Sequence, residues 1–179
     1  MRTGARAAPP SIEPVAPNLD GIDVAVVTVS DRSAAGQRAD ATGPVLAHAL
    51  TSHGARVASL VVPDEAKAIT QALERAIASG ARIVLTTGGT GVGPRDVTPE
   101  ATAPLLARNL PGIPELLRQR DAGGTPLVAL SRGVAGVTAH RPPAIIVNLA
   151  GSPSAVDSAL EVLPAILAHA ISQLSGEDH

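Results

Sequence analysis

The sequence predicts an α/β protein, a three-layer α/β/α sandwich around a mostly parallel sheet. Three apolar runs rich in β-branched residues support this prediction, at Ile22–Val29, Ala81–Thr87 and Ala144–Leu149. Runs that are apolar at nearly every position are typical of strands covered on both faces. Segments with helical periodicity lie between the runs, as expected for βαβ units with helices on both sides of one sheet.

Helix and strand signals alternate through the first half of the chain. A helix is predicted at Thr42–Gly54, with Thr42 as its N-terminal cap and a glycine at its end. A second strand follows at Arg56–Pro63. The next helix spans Asp64–Gly80, where apolar residues recur on one face and another glycine ends the pattern.

Prolines mark the helices of the second half. One helix starts at Thr98–Pro99, with the proline at the first helical position, and another is predicted at Pro114–Ala122. The pattern of Pro126–Arg132 is ambiguous. A final helix is predicted at Ser152–Leu174, with a break or kink at Pro164.

Length and composition limit the possible functions. The 179 residues are expected to form one domain at residues 21–175, between a disordered tail at 1–20 and a short C-terminal tail at 176–179. The chain has no cysteine, which excludes disulfides and thiolate metal sites and fits a cytoplasmic protein. Its apolar runs are too short to cross a bilayer, so no membrane partner is expected.

The chain contains no Phe, Tyr or Trp, and its formal net charge is −2. Nucleic acid is therefore not an expected partner, because the chain offers neither a bulk positive charge nor an aromatic platform for bases. For the same reason, a flat ring bound here must rest on peptide planes, aliphatic carbons or a guanidinium group.

The segment Gly88–Asp96, which follows the third predicted strand, reads GGTGVGPRD. Glycine lets peptide N–H groups approach an anion without a Cβ atom in the way, and successive N–H groups form a nest for phosphate oxygens. The segment matches neither the Walker A loop nor the dinucleotide-binding fingerprint. Pro94 occupies the position where the first motif needs lysine and the second needs glycine. A tight turn shaped by its backbone angles is an equally good interpretation.

Two aspartates, Asp64 and Asp96, follow the second and third predicted strands. Ligands bind outside the carboxyl ends of parallel strands, so both side chains are expected at one rim. Two close carboxylates repel each other unless one is protonated or a cation lies between them, and Mg²⁺ with a phosphate is the usual cation. The simpler interpretations are a helix cap for Asp64 and a turn residue paired with Arg95 for Asp96.

Other polar residues are expected at the same rim. The guanidinium groups of Arg32, Arg95 and Arg132 match phosphate oxygens in geometry, although a surface arginine is more often merely solvated. Ser152 is most simply the cap of the last helix, whose N-terminus could also hold an anion.

Six segments of the chain together resemble a known family. In chain order they read VVTVSDR, VPDE, LTTGGTGVGPRDVTPEAT, LPGIPELLR, LSRGVAGV and IVNLAGSPSAV. They are similar to the molybdenum-cofactor biosynthesis proteins of the MogA/MoaB type, over about residues 22–174. The Asp-Val-Thr-Pro-Glu that follows Arg95 looks more like the molybdopterin adenylyltransferase branch than the MoaB branch.

The resemblance implies adenylylation of molybdopterin, in which the pterin's phosphate attacks the α-phosphate of MgATP and pyrophosphate leaves. Asp64 and Asp96 match the family's functional acidic residues, so they are expected to be catalytic and to hold Mg²⁺. Residues expected to bind nucleotide or substrate by the same match are Ser30, Asp31, Gly88, Gly89, Thr90, Gly91, Ser131, Gly151, Ser152 and Pro153, and the charge argument adds Arg95 and Arg132. Ala150 departs from the family pattern, since many relatives have proline there.

The resemblance also implies a homotrimer and, as partners, other proteins of molybdenum-cofactor biosynthesis. Two alternative functions stay open. One is a MoaB-type protein that binds molybdopterin without transferring a nucleotide. The other is a pyrophosphatase-like use of the fold, as in the CinA group. The two aspartates favour an enzyme over a binding protein, and the CinA type is expected to carry a second domain.

Overall fold

The structure is a computed structural model that describes residues 17–121 and 123–176. Its strands are β1 (Asp23–Val29), β2 (Arg56–Val62), β3 (Ile83–Thr87), β4 (Leu106–Asn109), β5 (Ala135–Thr138) and β6 (Ile145–Leu149). They form one sheet in the order β2-β1-β3-β6-β5-β4. The first four strands of that order are parallel, and β5 is antiparallel to both of its neighbours. The predicted mostly parallel sheet is confirmed.

Helices cover both faces of the sheet, so the chain has three layers. The helices are α1 (Asp31–Ala34), α2 (Gly43–Ser52), α3 (Ala66–Ala78), α4 (Thr98–Thr102), α5 (Gly112–Asp121), α6 (Pro153–Leu160) and α7 (Leu163–Ser175). Buried residues of α2, α5, α6 and α7 pack on one face, and those of α3 and α4 pack on the other.

The central strands contribute to both cores by alternation. In β3, Ile83 and Leu85 belong to one core and Val84 to the other, and all three side chains are fully buried. Successive side chains of a strand point to opposite faces, so a strand covered on both sides must be apolar throughout. This requirement explains the continuous apolar runs of the sequence.

The predicted C-terminal ends of the first two long helices are confirmed. Gly54 and Gly80 lie just past α2 and α3, with φ angles of 89° and 100°. Such angles are favourable only for glycine, which is why it commonly stops helices. The predicted break of the last helix is also confirmed, because α6 and α7 meet at an angle of 55° and Pro164 lies in the first turn of α7.

Thr42 lies at the cap position of α2, but the predicted capping by its side chain is wrong. Thr42 makes no capping bond with its side chain, since Asp40 accepts the hydrogen bonds there. The predicted helix start at Thr98–Pro99 is confirmed by α4, and the hydroxyl of Thr98 donates to Gly88 O. The strands β4 and β5 were not predicted, and most of Pro126–Arg132 forms a short 3-10 helix at Pro126–Leu130.

The domain begins earlier than the sequence suggests. Leu19 is fully buried in the core, although residue 19 was expected to lie in a disordered tail. Residues 1–16 and 177–179 lie outside the described part of the chain. Within the described part, no single helix is both long and apolar enough to cross a membrane, whereas the bent pair α6 and α7 together meets that length and composition.

Candidate active site

The carboxyl ends of β1, β2, β3 and β6 meet at one edge of the sheet. Ser30 N, after β1, donates a hydrogen bond of 2.9 Å to Val62 O at the end of β2. Gly88 N, after β3, donates one of 3.0 Å to Leu149 O at the end of β6. These bonds tie the four loops together in pairs, and the loops bring the polar residues of distant chain segments to one rim.

A cavity of about 860 Å³ opens at this rim. Its volume lies in the range of roughly 300–1,000 Å³ that is usual for small-molecule sites. The expected site residues that line it are Ser30, Asp64, Gly88, Gly89, Thr90, Gly91, Asp96, Ser131, Gly151, Ser152 and Pro153. Asp31, Arg95 and Arg132 are not part of its wall, and their contacts, given below, explain why.

The glycine turn, residues 88–91, is bound to the rest of the protein through its carbonyl groups. Gly88 O accepts from Thr98 Oγ1, Gly89 O from Thr98 N, Thr90 O from Arg132 N, and Gly91 O from Arg132 Nε. The N–H groups of residues 89, 90 and 91 donate to no acceptor in the described part of the chain. Thr90 is buried and the two glycines are half-buried, so these N–H groups are available to a ligand or water in the cavity.

Gly88 of the turn and Gly151, in the loop packed against it, leave no room for a side chain. Gly88 has a φ of 106°, and a Cβ atom on it would lie 2.3 Å from Val29 O. A Cβ atom on Gly151, in the loop after β6, would lie 3.0 Å from Gly88 Cα. Glycine is therefore required here by both the backbone angle and the close approach of two loops.

Asp64 is held at the rim by Asp31. Asp64 Oδ2 accepts a 2.7 Å hydrogen bond from Asp31 N, and Asp31 Oδ1 accepts a 3.0 Å bond from Asp64 N. Arg95 donates from Nε and Nη2 to the two carboxylate oxygens of Asp31, at 3.1 and 2.8 Å. The interpretation of Asp64 as the cap of α3 is wrong, because its carboxylate binds the β1 loop and the cap residue is Glu65.

Burial raises the pKa of the Asp64 carboxyl above its ordinary value, and the nearby charges of Asp31 and Asp96 raise it further. The hydrogen bond from Asp31 N and the charge of Arg95 act in the opposite direction without cancelling this effect. A raised pKa means that the surroundings disfavour an uncompensated negative charge at this position. The site would therefore gain from a cation beside Asp64.

Asp96 lies on the other side of the glycine turn. Its Oδ2 atom accepts a 2.8 Å hydrogen bond from Gly93 N, and Arg95 pairs with Asp31, so the predicted pairing of Arg95 with Asp96 is wrong. A Cβ atom on Gly91 would lie 2.9 Å from Asp96 Oδ2, and one on Gly89 would lie 3.1 Å from Asp64 Oδ1. Both carboxylates thus flank the glycine turn.

The donor set fits a magnesium ion better than a metal that needs a full protein cage. Asp64 Oδ1 and Asp96 Oδ1 accept no hydrogen bond from the described residues, so each carboxylate keeps one oxygen for a ligand. Among the described residues, no group of three or more His, Asp or Glu side chains is arranged to hold a metal. Mg²⁺ commonly takes one or two carboxylates and completes its shell with substrate phosphates and water.

The guanidinium groups of Arg95 and Arg132 are engaged by protein acceptors, contrary to the expectation that they bind phosphate. Arg132 donates to Gly91 O at 2.7 Å and to Asp96 O at 2.6 Å, and it forms an ion pair with Glu100. This arginine therefore braces the glycine turn from outside the cavity, as Arg95 braces Asp31.

Sequence reasoning missed Asp40, which lines the cavity in the loop between β1 and α2. Its carboxylate accepts from Thr28 Oγ1 at 2.6 Å and from the N–H groups of Thr42 and Gly43 at 3.0 Å each. Burial alone would raise the pKa of Asp40, but these hydrogen bonds outweigh it and lower the pKa. One signal in the sequence could have identified Asp40: it stands three residues before Gly43, the first residue of α2. Sequence reasoning treated this loop only as polar.

Two cavity-lining arginines were also missed, Arg38 and Arg118. Arg118 Nη1 donates to Ser131 O at 3.3 Å, and the N–H of the same peptide group, Arg132 N, donates to Thr90 O at 2.8 Å. One peptide group therefore separates the Arg118 guanidinium from the glycine turn. In sequence, neither arginine stands beside a strand end, which is why the motif did not reveal them.

Comparison with known proteins places the chain in a family. Residues 25–169 match the family described as a probable molybdopterin binding domain. The chain belongs to this family. A molybdenum cofactor biosynthesis bifunctional protein of Synechococcus elongatus is 43% identical over 174 residues, which cover 95% of this chain and 54% of that protein. The chain thus spans about half the length of that relative.

Shorter members of the molybdopterin-binding family match over more of their length. A molybdopterin adenylyltransferase of Pyrococcus furiosus is 37% identical over 147 residues, covering 80% of this chain and 86% of the relative. A solved structure of MogA has a TM-score of 0.80 at 38% identity, covering 85% of this chain and 99% of MogA. The tungsten cofactor synthesizing protein MoaB of P. furiosus has a TM-score of 0.79 at 32% identity, covering 88% and 98%.

Proposed function

We propose that the chain is a molybdopterin adenylyltransferase of molybdenum-cofactor biosynthesis, a nucleotidyltransferase that moves AMP from MgATP to the molybdopterin phosphate and releases pyrophosphate. The observation that carries the proposal is the glycine turn with its two flanking carboxylates. Three N–H groups without a protein acceptor lie between Asp64 and Asp96, at the rim where parallel sheets bind ligands. The names of the family relatives supply the substrates.

The proposed roles follow from the charges and donors of this rim. The N–H groups of residues 89–91 and the start of α6, where Ser152 Oγ already accepts from Ala155 N, hold phosphate oxygens. Phosphoryl-type transfer needs positioning and charge neutralisation rather than covalent help from the protein. Asp64 and Asp96 would hold Mg²⁺, which neutralises charge on the phosphates when it is bound.

The pterin or adenine ring needs an apolar surface, which α5 and the 3-10 helix at Pro126–Leu130 supply. Five apolar side chains of these segments line the cavity: Pro114, Leu117, Leu127, Val128 and Leu130. Leu127 and Leu130 are 68% and 50% exposed, so their side chains are accessible to a bound ring. Aliphatic carbon therefore takes the place of the aromatic stacking that this chain cannot provide.

Pyrophosphate release tests the proposal directly. We expect release from ATP and Mg²⁺ to depend on added molybdopterin, and we expect Asp96→Asn to slow it by about tenfold to a hundredfold, because the charge is lost. Asparagine retains an oxygen that accepts from Gly93 N, so the glycine turn should keep its shape. Wild-type protein that releases no pyrophosphate in response to molybdopterin would rule out the transferase.

The structure is also similar to that of MoaB, which favours a second candidate function. In this alternative the protein binds molybdopterin without transferring a nucleotide. The same assay separates the two. A binding protein would take up molybdopterin yet leave ATP intact, and the Asp96→Asn variant would bind as wild type does. Because the chain has no Trp or Tyr, the ultraviolet absorption of a retained pterin can be measured with little protein background.

We also propose that the chain assembles as a homotrimer and acts with other proteins of molybdenum-cofactor biosynthesis. The edge strand β2 supports self-association, since Leu60 and Val61 are 38% and 39% exposed. An exposed apolar edge strand can pair with another chain.

Light scattering in solution should give three times the chain mass of 17.9 kDa, and replacing Val61 by lysine should lower that mass. A monomer at micromolar concentration would contradict the assembly.

A further inference from the structure

The loop after β1 contains a polar cluster that the proposed roles do not use. It consists of Ser30, Ser33 and Arg38, all of which line the cavity. Ser30 Oγ accepts a 3.3 Å hydrogen bond from Ser33 N and a 3.4 Å bond from Arg38 Nη2. One hydroxyl oxygen thus joins the start of α1 to the guanidinium group.

The Ser33 hydroxyl is the unexplained member of the cluster. Its Oγ atom is buried and has no hydrogen-bond partner among the described residues. A buried hydroxyl without a partner costs free energy, so such an atom indicates a missing ligand or water. Ser33 also lines the cavity, so a rotation of its side chain about χ1 would let the hydroxyl meet a ligand there.

Arg38 is exposed and has no carboxylate partner among the described residues. The ion pairs among the described residues engage Arg56, Arg95, Arg120 and Arg132, each with a carboxylate. Arg38 takes part in none of them, and its guanidinium donates only to the neutral Ser30 hydroxyl. An arginine on a cavity wall without a carboxylate is suited to bind an anionic ligand, because its planar donors match phosphate oxygens.

The cluster lies next to the carboxylate site, in the loop after β1, the strand between β2 and β3. Ser30 immediately precedes Asp31, whose N–H donates to Asp64 Oδ2, while Asp64 Oδ1 faces Gly89. One oxygen of Asp64 thus meets the β1 loop and the other faces the glycine turn, so both sets of anion donors adjoin this carboxylate. A reaction between two phosphate-bearing substrates requires two such sets around one reacting centre.

We propose that Ser30, Ser33 and Arg38 form a second phosphate-binding subsite, separate from the glycine turn, for one of the phosphate groups of the two substrates. The proposal rests on the proposed function for the identity of the substrates, and on the cluster itself for its chemistry. Arg38 supplies charge and two donors, and the Ser33 hydroxyl donates the hydrogen bond for which it has no partner in the protein.

Calorimetric titration with inorganic phosphate and with inorganic tripolyphosphate tests the subsite without requiring catalysis. We expect Arg38→Ala to weaken tripolyphosphate binding by about tenfold, and Ser33→Ala by about threefold. Arg32→Ala is the matched control, because Arg32 belongs to the same loop but does not line the cavity. Its binding should stay within about twofold of wild type. Arg38→Lys should restore part of the loss, since it keeps the charge without the planar fork.

Several outcomes would overturn the subsite. These are equal losses in the Arg32 and Arg38 variants, no loss in either, and no binding of phosphate or tripolyphosphate by wild type. Thermal unfolding by circular dichroism checks that each variant is folded, and Arg38→Lys serves if Arg38→Ala is not. A selective Arg38 effect in a protein without pterin-dependent pyrophosphate release would support the subsite and reject the transferase. If the Arg38→Ala variant keeps both its transfer activity and its tripolyphosphate binding, the result would support the transferase and reject the subsite.

Discussion

Replacing Asp64 by alanine is expected to slow pyrophosphate release by about a hundredfold to a thousandfold, the range found when one preorganised electrostatic group is removed from an active site. Alanine removes the carboxylate that faces Gly89 and also leaves Asp31 N without its acceptor. Both losses act on the centre of the site, so this variant should be affected more than Asp96→Asn. Steady-state kinetics with molybdopterin and ATP measures the effect.

Asp64→Asn separates the charge from the hydrogen bond. The amide oxygen can still accept from Asp31 N, so the β1 loop should stay in place while the negative charge is lost. We expect the variant to need more Mg²⁺ for half-maximal transfer. Glu65→Ala is the control, since Glu65 is the exposed neighbour and does not line the cavity. Unchanged dependence on Mg²⁺ in Asp64→Asn would reject a metal role for this residue.

Replacing Gly88 by alanine is expected to destabilise the protein by about 2 to 4 kcal/mol, through an unfavourable φ and a steric clash together. The new Cβ atom would lie 2.3 Å from Val29 O, a backbone atom of the central strand β1 that cannot move without shifting the sheet. Gly88 also donates to Leu149 O, so displacement of the turn would break the link between β3 and β6. Urea unfolding followed by circular dichroism measures the change.

Gly36→Ala provides the matched control for this prediction. Gly36 has a φ of 69°, and a Cβ atom on it would meet nothing within 4 Å. The Gly36→Ala variant should therefore lose only about 1 to 2 kcal/mol of unfolding free energy, the cost of placing one alanine in the left-handed region. Equal losses of stability in the two variants would show that the contact with Val29 contributes nothing.

Sequence patterns predicted the central part of the fold because packing on two faces leaves few choices of residue. The strands β1, β3 and β6 must be apolar on both sides, and such runs are visible without any structure. The short strands β4 and β5 give no such signal. β4 reads LARN and has three exposed residues, so only its pairing with β5 defines it.

The candidate site was predictable where a residue's position depends only on its own strand end. Asp64, Asp96 and the glycine turn belong to this class, since the parallel sheet brings their loops together. The partners of Arg95 and Arg132 were not predictable, because Asp31 and Glu100 are 64 and 32 residues away along the chain. Which of several arginines meets a carboxylate and which faces the cavity depends on three-dimensional distances that no local pattern contains.

The hydrogen bonds on the carbonyl side of the glycine turn have a consequence for affinity. Every carbonyl of residues 88–91 has a partner, so the turn cannot easily adopt other conformations, despite its three glycines. A mobile loop loses conformational entropy when a ligand orders it, and that loss weakens binding. Here the ordering takes place when the chain folds, so the entropy cost of binding falls mainly on the ligand.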